Sequence, residues 1–419
     1  MRTRSTALAA LLIASLAGCG PTTSSQSPTP TIAPTAAAPT TAVGPSASAA
    51  DPATVYAAIR AQVEAIRGLQ PTNDIAPVLI DETQLQSNLQ ADFDRQNPAA
   101  AIEIGQRTLI ALGFLPKGSS LRAAVLALQS GQVAGYYSPT EKQLFVVSRS
   151  GAIGPTQRST YAHEFTHELQ DQHFDLKSLG LQTSDQGDRS LARLAMVEGD
   201  AVSVQYSWMQ QHFGPDDLAQ LLKDAQDPAA LAALNNAPPY LRDTALFPYS
   251  AGLAFVQGLL QTGGYAAVNA AFAKPPDSTE QIIHPDKYQA GEKPIAVVLP
   301  SDLASRMGTG WTATGQDTLG ELQLRLWLSE AGIASNVASD AAGGWGGDRL
   351  VLLEGPAGDG VAVESVWDTA ADADAFASAA NTAMTARALA GTVVHVAGST
   401  RVSLAIGTNS TTLAGLLPG

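Results

Sequence analysis

Cysteine is all but missing: the 419-residue chain carries one, Cys19. A single thiol excludes any disulfide within the chain, so packing, hydrogen bonds or a metal must hold the fold together. Cations are also in short supply, with 24 Lys and Arg against 38 Asp and Glu and a formal net charge of −14. That balance argues against nucleic acid as a partner and against electrostatic docking on anionic lipid. Past residue 17 the sequence has no apolar run long enough to span a bilayer, so any membrane attachment would rest on another device. Histidine is scarce too, six in all, and three of the six fall between His163 and His173.

The first fifty residues are not expected to belong to the fold. Arg2 and Arg4 precede an apolar run over residues 7–17, too short for a mature transmembrane helix, and residues 1–18 read as a secretory signal. Leu16-Ala17-Gly18-Cys19 resembles a bacterial lipobox. The resemblance implies cleavage before Cys19, acylation of that residue, and a chain lipid-anchored on the extracytoplasmic side of a bacterial cell envelope. Residues 19–50 are then a Pro, Thr, Ser and Ala tether, without charge and too poor in large apolar residues to order. At Asp51-Pro52 the texture changes to helical spacing, with Val55, Ile59, Val63 and Ile66 on one face.

What organises the chain is His163-Glu164-Phe165-Thr166-His167. Gly154-Pro155 supplies a helix start, and Tyr161, Phe165 and Leu169 form an apolar stripe at intervals of four. On that helix His163 and His167 stack one turn apart on the opposite face, within reach of one ion. Glu164 flanks the same face and can meet a water there without being a ligand. Metal-assisted hydrolysis needs this division: neutral imidazoles fix Zn²⁺, the ion lowers the pKa of its water toward about 7, and a carboxylate takes the proton. By composition the motif is expected in roughly one of several hundred such chains, so a chance match is the weaker account.

Two ligands do not hold a catalytic zinc, and the sequence offers two candidates for the third. His173 gives a histidine spacing like that of the metzincins, but where that family has a helix-breaking glycine this chain has Gln170. A continued helix would carry His173 roughly 9 Å along the axis, out of reach. The other candidate is Glu198, which falls amid Leu191, Leu194, Ala195 and Val202 on the apolar face of a second helix. A carboxylate there is costly unless a cation meets it. The adjacent Gly199 predicts close approach by another backbone, since glycine in a helix interior costs about 1 kcal/mol relative to alanine.

His163, Glu164, His167 and a glutamate on the following helix resemble the gluzincin branch of the zincin metallopeptidases. The resemblance implies Zn²⁺ bound by His163, His167 and Glu198, Glu164 as general base, and a peptide or protein substrate. One departure is that many gluzincins carry a histidine-orienting Asp four residues after the glutamate, where this chain has Val202.

Two β-runs, residues 132–137 and 143–148, predict a hairpin just before the metal helix. In zincins such an edge strand pairs with extended substrate, while an ordinary core hairpin would look the same in sequence. Residues 240–264 are apolar and helical. Ser278 and Gln281 form a capping-box pattern on a short helix stopped by Pro285, which makes His284 the first candidate for oxyanion stabilisation, ahead of Tyr249 and Tyr206.

The expected fold class is α+β, with a mainly helical zincin-like domain carrying a small hairpin or sheet over residues 51–294 and a smaller α+β domain over 295–419. In the latter, Thr318 and Glu321 predict a capping box, residues 349–354, 361–367, 392–396 and 402–406 predict strands, and 372–389 a helix. Residues 343–348 read as a glycine-rich loop with no phosphate-binding Lys-Ser/Thr. The function expected is a membrane-anchored, zinc-dependent peptidase. The alternative is a non-catalytic envelope lipoprotein with a structural zinc or a binding role.

Overall fold

A computed structural model describes residues 51–132, 135–147 and 153–418. Cys19, the signal and the tether lie outside the described residues, as do positions 133–134 and 148 of the expected hairpin. The fold is mainly helical α+β with two small sheets. No helix among the described residues is long and apolar enough to cross a membrane.

Three helices frame the site: the metal helix Pro155–Phe174, the glutamate helix Gly187–His212 and the long helix Pro239–Ala273. Tyr161, Phe165 and Leu169 are fully buried against Tyr56, Ile59 and Val63 of the N-terminal helix Pro52–Arg67, so the apolar stripe is the packing face. Ile66 packs partly buried against the same cluster, and Arg67 beside it is fully buried.

The glutamate helix and the long helix cross at two glycines. A Cβ on Gly199 would lie 2.1 Å from Gly252 O, and one on Gly252 would lie 1.9 Å from Ala195 O. Neither backbone can retreat without unpacking the helices that carry the candidate ligands. Gly252→Ala is therefore expected to destabilise by about 1–3 kcal/mol or more, measured by urea unfolding. Unchanged stability would mean that this crossing is looser than it stands here. The long helix itself breaks at Gly263 and Gly264, the latter with φ of +59°.

The first sheet orders β1 (Val78–Ile80), β3 (Gln143–Val147) and β2 (Gly135–Ser138), with β1 parallel and β2 antiparallel to β3. β2 is an edge strand above the metal helix. Asp171 of that helix ties the hairpin down, accepting from Tyr137 Oη at 2.8 Å and Lys142 Nζ at 2.5 Å. The second sheet is antiparallel, in the order β4 (Thr312–Asp317), β5 (Trp345–Gly355), β6 (Gly358–Trp367), β8 (Arg401–Gly407), β7 (Gly391–His395). β1 and β4 have no counterpart in the sequence reading. β1 is three residues long, and β4, Thr-Ala-Thr-Gly-Gln-Asp, lacks the large apolar residues that mark a strand.

Two further expectations are corrected. Residues 345–348 are not a loop but the start of β5, with a register shift between Trp345 and Gly347. A Cβ on Gly347 would meet Ile295 O at 2.2 Å, so glycine there admits a neighbouring backbone. Thr318 does not cap helix Gly320–Glu330: Asp348 does, accepting from Leu319 N at 2.9 Å and Gly320 N at 2.8 Å.

Burial pushes the Asp348 carboxyl up to about 6, against these hydrogen bonds, which pull it down. The unfolded chain releases that proton near pH 4. Between those values the native state holds the extra proton, so this contribution to stability is full below pH 4 and lost as pH rises through 6. Urea unfolding is expected to show a fall on the order of 2 kcal/mol from this group between pH 4 and 6.5, absent in Asp348→Asn. Equal slopes in both proteins would contradict it.

The apolar core runs across residue 294 without interruption. One cluster of buried side chains joins Leu109, Phe114 and Tyr240 to Trp327, Leu352 and Phe376. Trp327 Nε1 donates to Leu112 O at 2.9 Å, and Arg107 pairs with Glu354 and Asp359.

Candidate metal centre

The metal helix starts at Pro155 and runs unbroken through Phe174, since nothing between His167 and His173 can release it. One face enters the core, and the other meets the glutamate helix. There His163 Nε2 lies 3.1 Å from His167 Nε2 and 3.2 Å from Glu198 Oε2, and His167 Nε2 lies 3.4 Å from Glu198 Oε2. All three residues are buried. Tetrahedral bonds of about 2.0–2.1 Å to zinc set donor atoms roughly 3.3 Å apart, so this triangle has the edge lengths and the N, N, O chemistry that a zinc ion takes. At these distances the three groups couple strongly. Burial alone would drive the Glu198 carboxyl up and His167 down, but their mutual attraction reverses both, leaving Glu198 low and His167 high.

Glu164 is fully buried and accepts a hydrogen bond from Tyr137 N, on β2, at 2.8 Å. Burial raises its pKa, and the nearby His163 and His167 pull it back. A cleft walled by Leu89, Phe93, Tyr136, Leu181 and Leu194 opens onto His167 and Glu198. The arrangement can therefore offer a metal with three protein donors, a carboxylate beside it, and an apolar approach.

His173 is not part of this group: its Nε2 is 2.7 Å from Gln70 O. Nor does Arg193 neutralise Glu198, since it bonds Leu179 O and Asp277. His284 faces Glu321 instead, Nε2 to Oε1 at 3.1 Å, and that pairing raises its pKa. Tyr249, on the long helix, comes beside the site, its ring centroid 6.3 Å from that of His163. Tyr206 lies half-buried on the glutamate helix.

Sequence reasoning missed Gln170, whose Oε1 is 2.8 Å from His167 Nδ1. Its spacing of three from His167, on one helical face, was the available signal. A second acidic group, Glu280, Glu292 and Asp368, also has metal-ligand proximity, but Lys287 Nζ occupies it at 2.6, 3.1 and 2.6 Å.

Comparison with known proteins gives little to set beside this geometry. A family profile described as a domain of unknown function (DUF8575) matches residues 264–413. The match begins at the break in the long helix, takes in the five-stranded sheet, and contains none of His163, Glu164, His167 or Glu198. No curated protein and no solved structure matches the chain.

Proposed function

We propose that this chain is a zinc-dependent peptidase of gluzincin type, lipid-anchored at Cys19 and extracytoplasmic in a bacterial cell envelope. The observation that carries the reading is the buried triangle of His163 Nε2, His167 Nε2 and Glu198 Oε2, with edges of 3.1–3.4 Å, set beside Glu164. Bound there, Zn²⁺ would supply Lewis acidity toward a water and a substrate carbonyl. The protein's own part is the handling of protons and shape. Glu164, held by Tyr137 N–H, accepts the proton from the attacking water and passes it to the leaving amine. The cleft, apolar at Leu89, Phe93 and Leu194 and polar at Asp92, Arg95 and Asn97, gives a peptide side chain a way to the site.

Among the described residues the group holds three donors, a number that supports a catalytic zinc, which keeps a coordination position for substrate, over a structural one. The test is metal analysis of the purified chain together with proteolysis of a mixed peptide library, with and without a chelator. Stoichiometric zinc and chelator-sensitive cleavage are expected. Zinc retained without cleavage of any peptide would favour the structural or binding lipoprotein instead.

Proximity to His163 favours Tyr249 over His284 as the group that stabilises the oxyanion. Tyr249→Phe is expected to lower kcat ~10-fold or more with zinc content unchanged, and His284→Ala to leave kcat near wild type. The reverse order in steady-state kinetics would return the role to His284.

A further inference from the structure

The zincin resemblance leaves the candidate ligand histidines without an orienting partner, because Val202 stands where an Asp is often found. The structure fills that place from a different direction. Gln170 lies one turn after His167 on the metal helix and is fully buried. Its Nε2 donates to Val197 O at 3.0 Å and to Asp200 Oδ2 at 2.9 Å, a carbonyl and a carboxylate oxygen that accept. Those two bonds fix which way the amide faces. Oε1 must point at His167 Nδ1, 2.8 Å away, and an amide oxygen cannot donate. The proton of the neutral ring is therefore on Nδ1, and the lone pair is on Nε2, the atom that faces His163 and Glu198.

The line continues past Asp200. Arg67, the last residue of the N-terminal helix, donates from Nε to Asp200 Oδ2 at 2.9 Å, and neither side chain has any exposure. A fully buried carboxylate needs such a counter-ion, and the guanidinium is itself held by Asn269 Oδ1 at 2.8 Å and by the Tyr265 ring, 4.7 Å from its centroid. Three segments far apart in sequence thus converge behind one imidazole. His163 differs: its Nδ1 is buried with no hydrogen-bond partner among the described residues.

We infer that Gln170, fixed by Asp200 and Arg67, is the positioning residue that sets the tautomer and ring direction of His167 for metal binding. This rests on the zinc-site reading above. Partners of this kind change metal affinity by about 10–100-fold when removed.

The experiment measures zinc affinity by competition with a chromophoric chelator, alongside the melting temperature of each metal-free protein. Gln170→Met keeps the length of the side chain and removes the acceptor, and is expected to weaken zinc binding by about 10–100-fold. Asp200→Asn keeps an oxygen that accepts from both Gln170 Nε2 and Arg67 Nε, so Gln170 still faces Nδ1, while the buried guanidinium loses its counter-charge. That variant is expected to bind zinc within about fivefold of wild type. Its metal-free melting temperature is expected to fall at least as far as that of Gln170→Met, which separates positioning from folding. Wild-type affinity in Gln170→Met, or an Asp200→Asn variant that binds zinc as weakly as Gln170→Met, overturns the inference while leaving the zinc site standing. A wild-type chain that takes up no zinc overturns both.

Discussion

Glu164→Gln is expected to keep its zinc and its melting temperature while peptide hydrolysis falls by about 10²–10⁴-fold, the range that general-base groups contribute. The amide has nearly the size of the carboxylate, and its oxygen can still accept from Tyr137 N–H, so the hairpin and the metal helix keep their contact. His163, His167 and Glu198 are untouched. What is lost is the capacity to take a proton from the attacking water. Metal content, thermal melting and steady-state hydrolysis of one cleaved peptide decide the matter together. Equal, nonzero activity in zinc-loaded wild type and variant would falsify the mechanism proposed here.

The second large effect concerns the third ligand. Glu198→Ala removes the only anion from the triangle and leaves two imidazoles 3.1 Å apart, too few donors for a tight zinc site. Stoichiometric zinc is expected to be lost, and with it the stabilisation that binding confers, about 4 kcal/mol for wild type at a free zinc concentration a thousandfold above Kd. His173→Ala is expected to keep its zinc, because that ring is spent on Gln70 O. Dialysis followed by elemental analysis, and melting with and without zinc, read both variants. Zinc lost from His173→Ala and kept by Glu198→Ala would return the assignment to the metzincin spacing.

Local spacing in the chain carries much of the site and of the fold. Four-residue intervals put His163 and His167 on one face and Tyr161, Phe165 and Leu169 on the other. A carboxylate among apolar neighbours marked Glu198, and Gly199 announced the crossing that Gly252 completes. The strands at residues 349–354, 361–367, 392–396 and 402–406 were legible in the same way, because short runs rich in Val, Ile and Leu bounded by turn residues are a local signal. The α+β class followed from those elements.

Everything that depends on which surfaces meet was decided by the tertiary structure. Asp348, and not the nearer Thr318, caps helix Gly320–Glu330, since a buried carboxylate reaching across from β5 offers both oxygens to the free N–H groups. His284 looked available in its short segment, but packing set Glu321 against it and brought Tyr249 beside His163. The line from Arg67 through Asp200 and Gln170 to His167 spans 133 residues between its first two members, and no periodicity records it. Its members are coupled because burial leaves each polar group no solvent to turn to, so each must find its partner in whatever chain segment the fold delivers.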